Sequence, residues 1–328
     1  MKAVVFASKG GPEVVEWRDA PDPVAQRGEV LVRVRASAMN RADLLQRRGL
    51  YPPPPGWRED VPGLELAGDV VEVGAGVTAW RPGDRVMAIA AGEAHAELAV
   101  AHERMLIPVP ASLSWEEAGA VMEAGLTSHD ALFTLGALRP GWPVLVHAAG
   151  SGVSTAAIQI AKAAGATVIG TSRTAEKLDR ARGIGLDHGL LVSKEEPKFG
   201  AEVKKLTGGR GVPLVLDFVG APYAAENLAA LATGGRIIVI GTMGGTKAQL
   251  DLAKVLHLRA TVVGTTLRMR PLEEKIAATQ SFARDVLPLL ASGRVKAIVD
   301  SAIPMARARE AHERMEKNES FGKLVLVP

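Results

Sequence analysis

The spacing of apolar residues divides the chain into two regimes. Up to about position 110, short apolar runs recur at 3–6, 30–34, 68–73, 85–90 and 96–100. Turn signals separate them, among them Gly10-Gly11-Pro12, Gly74-Ala75-Gly76 and Pro82-Gly83-Asp84. This is the pattern of short strands joined by turns. Residues 41–48 interrupt it with helical spacing, and after Tyr51 the run Pro52, Pro53, Pro54, Pro55 makes a stiff, extended loop. Ser114 and Glu117 form a capping-box pair ahead of Ala118, Val121, Met122 and Leu126, which predicts one helix there.

From Pro143 the period alternates. Strands are predicted at 143–147, 167–171, 189–192, 213–218, 236–241 and 260–264, and helices at 153–164, 175–183, 199–207, 223–232 and 248–256. Strands alternating with helices of this length predict an α/β fold with a doubly wound parallel sheet. Six strands is the full count of a dinucleotide-binding unit. A long helix at 272–290, a β-like stretch at 297–303, a helix at 305–317 and a strand at 323–327 complete the chain. This tail is not a seventh unit of the sheet and is expected to return to the first domain. The predicted domains are therefore 1–123 with 266–328, and 124–265.

The segment from Pro143 to Lys177 carries the clearest chemistry. A strand ending at His147 runs into Ala148, Ala149, Gly150, Ser151, Gly152, Val153, Ser154 and Thr155, then a helix and a second strand ending at Ser172. A small-residue turn lets the backbone approach a pyrophosphate, and the helix presents free N–H groups to it. The match to G-x-G-x-x-G is incomplete, because Thr155 holds the third glycine position. An NAD-binding unit places an acidic residue about 20 residues after the glycines. Here Ser172, Arg173 and, one turn on, Lys177 stand at the strand end, with Glu176 between them. A hydroxyl and two cations favour a 2′-phosphate, which points to NADPH over NADH. The strand-end loops 217–220 and 241–245, including Gly241, Thr242 and Met243, are expected to face the cofactor.

Composition adds exclusions. The chain has 328 residues, 47% of them apolar, and no cysteine, so disulfides, thiol nucleophiles and cysteine-ligated metals are excluded. No apolar run is long enough to span a bilayer. The start, Met1 to Phe6, enters a strand directly and shows no signal-peptide pattern, so a cytoplasmic location is expected. The net charge of +3 is spread along the chain, and no basic and aromatic surface pattern suggests nucleic acid. The seven histidines show no metal-binding spacing. Asn40, Asn227 and Asn318 are the only asparagines.

Several stretches resemble the medium-chain dehydrogenase/reductase superfamily, and within it the zinc-free quinone oxidoreductases of the zeta-crystallin-like branch. They are Ala36 to Asp43, Pro62 to Gly68, Val73 to Val77, Arg81 to Val86, Val146 to Val153 and Gly322 to Leu326. The resemblance covers essentially the whole chain. It implies a GroES-like β-rich catalytic domain and a Rossmann domain with a six-stranded sheet. In the family's register the first fingerprint position holds Ala149, and Ser154 stands where relatives have the third glycine. The zinc ligands of related alcohol dehydrogenases would fall at Asn40, Leu64 and Glu123, a set that cannot make a three-ligand zinc site. No metal is therefore expected.

Without a Lewis acid, the practical reaction is hydride delivery to a quinone or an enone. By resemblance Asn40 lies beside nicotinamide and substrate, where its amide could donate to a developing oxyanion, and Tyr51 contacts substrate from the proline loop. These two are the catalytic candidates. Thr127 is a cofactor contact by resemblance. Gly150, Ser151, Gly152, Val153, Ser172, Arg173, Lys177, Gly241, Thr242 and Met243 complete the expected cofactor set. Arg268, with Arg270 and Lys323, either touches a cofactor phosphate or lines the domain seam. Asp43 and Glu65 are read as loop-orienting, and solvent as the final proton source. The rival readings are an enoyl-thioester reductase and a non-catalytic, crystallin-like NADPH-binding protein. Family habit implies a homodimer or homotetramer through edge strands near 237–264.

Overall fold

The chain begins with an antiparallel ribbon, β1 (Lys2–Phe6) and β2 (Val15–Asp19). β3 (Glu29–Ala38) then alternates, with Val32, Val34 and Ala36 buried and Arg33 and Arg35 exposed. Successive side chains of a strand face opposite sides, so this pattern gives one core face and one wet face. α1 (Arg41–Arg47) follows. β4 (Glu65–Val73), β5 (Arg85–Ile89), β6 (Leu98–His102) and β7 (Leu106–Pro108) extend the sheet. All pairings here are antiparallel: β3 with β4 and β6, β4 with β5, and β5 with β7.

The single helix predicted after Ser114 is two, α2 (Trp115–Gly119) and α3 (Met122–His129), broken at Ala120. The capping box is present, with Ser114 accepting from the Glu117 N–H. α2 sits hard against β3: a Cβ on Gly119 would come 2.7 Å from that of Ala36.

Strand and helix then alternate as β8 (Pro143–Val146), α4 (Gly152–Ala163), β9 (Thr167–Ser172), α5 (Ala175–Arg182), β10 (His188–Leu191) and α6 (Gly200–Leu206). The second half is β11 (Val212–Asp217), α7 (Ala224–Ala230), β12 (Leu231–Val239), α8 (Leu252–Leu258) and β13 (Thr261–Gly264). The six strands are all parallel in the order β10-β9-β8-β11-β12-β13, the doubly wound arrangement. Val144, Leu145 and Val146 of β8 are wholly buried, as a parallel strand covered on both faces requires. Helix α8 lies four residues later at its start than its apolar spacing suggested, with Asp251 as its cap.

The chain closes with α9 (Leu272–Ala291), β14 (Val299–Pro304), α10 (Ala308–Lys317) and β15 (Lys323–Val327). β15 joins the first sheet beside β3, pairing Val325 with Ala38, and β14 lies parallel to β15. The computed structural model describes all 328 residues as two units, Met1–Leu126 with Leu267–Pro328 and Thr127–Thr266. Each has its own core: Val32, Leu66, Val86 and Leu324 in the first, Leu145, Ile169, Val215 and Ile237 in the second.

Candidate functional site

In the first unit a buried polar cluster forms where β3, β4 and β15 meet. Asn40 caps α1, its backbone N–H donating to Asp43 at 2.7 Å, while the other Asp43 oxygen accepts from the Gly63 N–H at 3.2 Å. Asp43 therefore orients two loops. The Asn40 amide nitrogen donates to the Ala38 carbonyl and to Glu65 Oε1, both at 3.0 Å. Its oxygen accepts from the Lys323 ammonium at 2.6 Å, and Lys323 also pairs with Glu65 at 2.7 Å. The second Glu65 oxygen accepts from the Glu123 N–H at 2.9 Å.

This geometry bears on two of the sequence-based expectations. Both N–H groups of Asn40 are committed inside the cluster, so the amide has none left for an oxyanion. Lys323, expected to touch a cofactor phosphate or to line the domain seam, is bonded to Asn40 and Glu65. The same residues can be compared with the donor set a zinc ion needs. The positions where ligands would fall hold an amide already bonded to an ammonium, the alkyl side chain of Leu64 and a single carboxylate. A cation there would meet the Lys323 charge, and the donor set is not that of a zinc site.

Electrostatics in the cluster are uneven. Burial, then the negative charge of Glu65, pushes the Glu123 carboxyl up to about 8. Burial also pulls the His95 imidazole below the ordinary histidine value, against the pull of Asp43. Tyr51 and Arg268 are brought together. The guanidinium carbon lies 5.3 Å from the Tyr51 ring centroid, Nη1 donates to the Tyr51 carbonyl at 3.1 Å, and Nε donates to the Ala91 carbonyl at 2.7 Å.

In the second unit a small-residue turn joins β8 to α4. Ser151 caps α4, accepting from the Ser154 N–H at 3.2 Å, and the Ser154 hydroxyl donates to the His147 carbonyl at 2.7 Å. Gly152 and Val153 fall in the first turn, where a helix has no internal acceptor for its N–H groups. The left-handed residue of the turn is Ala148, with φ of 51°, rather than either glycine. Gly150 serves close approach instead: a Cβ there would stand 2.7 Å from Lys177 Cδ. The Lys177 stem thus lies along the turn. Ser172 is buried with its hydroxyl accepting from the Thr174 N–H, and Arg173 is exposed beside it. Thr127 is buried in α3, next to Ser128, whose hydroxyl donates to the Val153 carbonyl at 2.8 Å.

The loops after β11 and β12 are laced together. Gly244 N–H donates to the Val219 carbonyl at 2.8 Å, Ala221 N–H to the Gly245 carbonyl at 3.0 Å, and Gly241 N–H to the Asp217 carbonyl at 3.2 Å. Thr242 and Met243 lie in the second loop, with Met243 exposed.

Sequence reasoning missed the network beneath these loops. Asp217 accepts from the Val219 and Gly220 N–H groups with one oxygen and from the Asn227 amide at 2.9 Å with the other. That fixes the Asn227 oxygen towards His147 Nε2, 2.7 Å away, so Nε2 carries the proton. His147 Nδ1 then accepts from the Thr171 hydroxyl at 2.8 Å. Burial pulls the imidazole below its ordinary value, opposed by the Asp217 charge. The chain of bonds ties the carboxyl ends of β9, β8 and β11. The scarcity of asparagine pointed to Asn227 as much as to Asn40.

The chain is similar to known proteins over its whole length. The family described as an alcohol dehydrogenase GroES-like domain matches residues 26–135, and the one described as zinc-binding dehydrogenase matches residues 152–284. A quinone oxidoreductase of Pseudomonas aeruginosa is 34% identical over 329 aligned positions, which cover 100% of this chain and 99% of that protein. The crystal structure of Escherichia coli quinone oxidoreductase complexed with NADPH aligns over 100% of both chains, at a TM-score of 0.90 and 29% identity. A structure described as an NAD-dependent alcohol dehydrogenase also covers 100% of both chains, at a TM-score of 0.88 and 35% identity.

Proposed function

The chain belongs to the medium-chain dehydrogenase/reductase superfamily as an oxidoreductase, and on that premise we propose that it uses NADPH, without zinc, to reduce a quinone or an enone. The observation that carries the cofactor choice is the end of β9. Ser172 and Arg173 stand there with no carboxylate bonded to them, and the Lys177 stem lies across Gly150. A 2′-phosphate would meet a hydroxyl and two cations, each charge-assisted hydrogen bond contributing about 1.5–3 kcal/mol. The relative solved with NADPH supports the same reading.

Bound NADPH supplies a hydride. The residues of the chain bind and orient. The Gly150 to Val153 turn and the start of α4 receive the pyrophosphate, and the Asp217–Asn227–His147 chain keeps the strand ends around it rigid. The Lys323 ammonium bonded to Asn40 and Glu65 supports the reading of a zinc-independent reaction. Asn40 is then a positioning residue, holding Glu65 and the start of α1.

The substrate is a small molecule, and no helix is long and apolar enough to cross a membrane. A cytoplasmic homodimer or homotetramer completes the proposal. β13 is an edge strand, and Val262 on it and Leu252 and Leu256 of α8 are exposed. The test is oxidation of NADPH and of NADH, followed by absorbance with an ortho-quinone and a simple enone, in the presence of a chelator. Turnover with NADPH preferred and no effect of chelator is expected. Preference for NADH would overturn the cofactor choice. Tight NADPH binding without turnover would favour an enoyl-thioester acceptor or a binding protein.

A further inference from the structure

One cation in the first unit is built and left incomplete. Arg268 is 96% buried, being only 4% exposed. Two of its three nitrogens are placed by backbone carbonyls, Nε on Ala91 and Nη1 on Tyr51. The third, Nη2, is buried and has no hydrogen-bond partner. A buried donor left unpaired costs about 1–3 kcal/mol, more when it is charged, so such groups in a native fold call for a reason. No carboxylate neutralises this one by direct contact. Asp43 and Glu123 act on it only through their charge, and it in turn acts on Lys275, whose ammonium is pulled down by burial and by the Arg268 charge.

Space beside Nη2 is also provided. A Cβ built on Gly92 would stand 3.4 Å from Nη2 and 3.7 Å from the Trp57 ring, so the glycine leaves one atom's room there. Gly92 does not adopt a left-handed conformation, so the backbone does not require glycine at this position. Tyr51, the other residue the sequence assigns to substrate, lies under the same guanidinium. Asn40, by contrast, has no N–H left to give.

We propose that Arg268 Nη2 is the donor for the acceptor's carbonyl oxygen, the group that receives the negative charge formed when hydride is added. This rests on the reading of the protein as a quinone or enone reductase. In the step, a hydride adds to the enone carbon β to the carbonyl, or to the quinone ring, and a C–H bond forms. The electron pair displaced from the π-system moves onto the carbonyl oxygen. That oxyanion accepts a hydrogen bond from Nη2 and afterwards takes a proton from solvent. The acceptor is reduced by two electrons and NADPH is oxidised to NADP⁺.

The test uses the full chain and two variants. Arg268→Lys keeps a positive charge but loses the fixed fork of donors. Gly92→Ala leaves the guanidinium alone and places a methyl carbon in the space beside it. NADPH binding is read by fluorescence titration, folding by thermal melting, and turnover with an enone and an ortho-quinone. Removing one oxyanion donor costs about 10²–10³-fold in kcat. Arg268→Lys is expected to lose that much, and Gly92→Ala at least about tenfold, with NADPH affinity within about twofold of wild type. Binding of 4-nitrophenolate, a mimic of the oxyanion, gives a readout independent of turnover. It should weaken about tenfold in both variants. Unchanged turnover and phenolate binding would overturn the proposal. So would a loss confined to NADPH affinity, which would assign Nη2 to a cofactor phosphate. If the wild type reduces neither acceptor, the functional reading fails, and phenolate binding still decides the role of Arg268.

Discussion

The Lys323 ammonium lies 2.6 Å from the amide oxygen of Asn40, joining residues 283 positions apart in the sequence. The same ammonium pairs with Glu65, whose side chain is wholly buried. Removing one partner of a buried pair leaves an uncompensated charge, which costs about 3–5 kcal/mol. Lys323→Met is therefore expected to lower the free energy of unfolding by that amount, measured by urea denaturation. Adding Glu65→Gln to it should recover most of the loss. A single variant as stable as wild type would show that the pair carries little.

The cofactor end makes a separate prediction. Arg173→Ala and Lys177→Ala should each weaken NADPH binding about tenfold to a hundredfold and leave NADH binding nearly unchanged. Gly150→Ala should weaken both cofactors, because its methyl would crowd the turn that receives the shared pyrophosphate as well as occupy the space of Lys177 Cδ. Equal losses for both cofactors in Arg173→Ala and Lys177→Ala would show that these two residues serve the pyrophosphate or the fold, not the 2′-phosphate.

What the sequence revealed and what it hid have a common physical cause. Local period revealed the six parallel strands and their helices, because each is decided within a window of about ten residues. The capping box at Ser114 and Glu117 is equally local. The break at Ala120 was hidden, because α2 packs against Ala36 of another strand. The roles of Asn40 and Lys323 were hidden for the same reason: their partners arrive through β15 pairing with β3. The His147–Asn227 bond spans 80 positions and is invisible to any local pattern. A usable signal was rarity. Asn40 and Asn227 sit in buried networks, and Asn318 takes the left-handed C-cap of α10, with φ of 58°.

Acid should destabilise the fold through buried histidines. His95, His147 and His312 are all held below the ordinary value of 6.5, chiefly by burial. The unfolded chain binds more protons than the folded one below that value, so stability is full above 6.5 and falls as pH drops through the folded values. Glu123 works in the other direction. Its carboxyl is raised from 4.5 to about 8, so its contribution is full below 4.5 and is lost as pH rises through about 8. Urea midpoints at pH values of about 6 and 9 should therefore fall for the wild type, and Glu123→Gln should flatten the alkaline decline alone. A decline that survives the substitution would assign the alkaline loss to another group.

Assembly offers the last prediction. β13 ends the six-stranded sheet with one edge unpaired, and an unpaired edge is a template for another strand. The strand and the helix beside it are apolar where a monomer would be polar: Val262 on β13 is 47% exposed, and Leu252 and Leu256 on α8 are 74% and 73% exposed. A twofold axis would set this edge against its own copy and cover all three side chains on both protomers. Val262→Lys puts a charge on the strand that must pair, and Leu256→Glu puts one on the helix beside it. Each should convert the wild-type oligomer to a monomer in sedimentation equilibrium, while NADPH binding persists, since neither residue belongs to the Gly150 turn or the end of β9. An oligomer of unchanged mass in both variants would place the interface elsewhere. A wild type that sediments as a monomer would leave these leucines exposed to solvent and remove the reason for the edge.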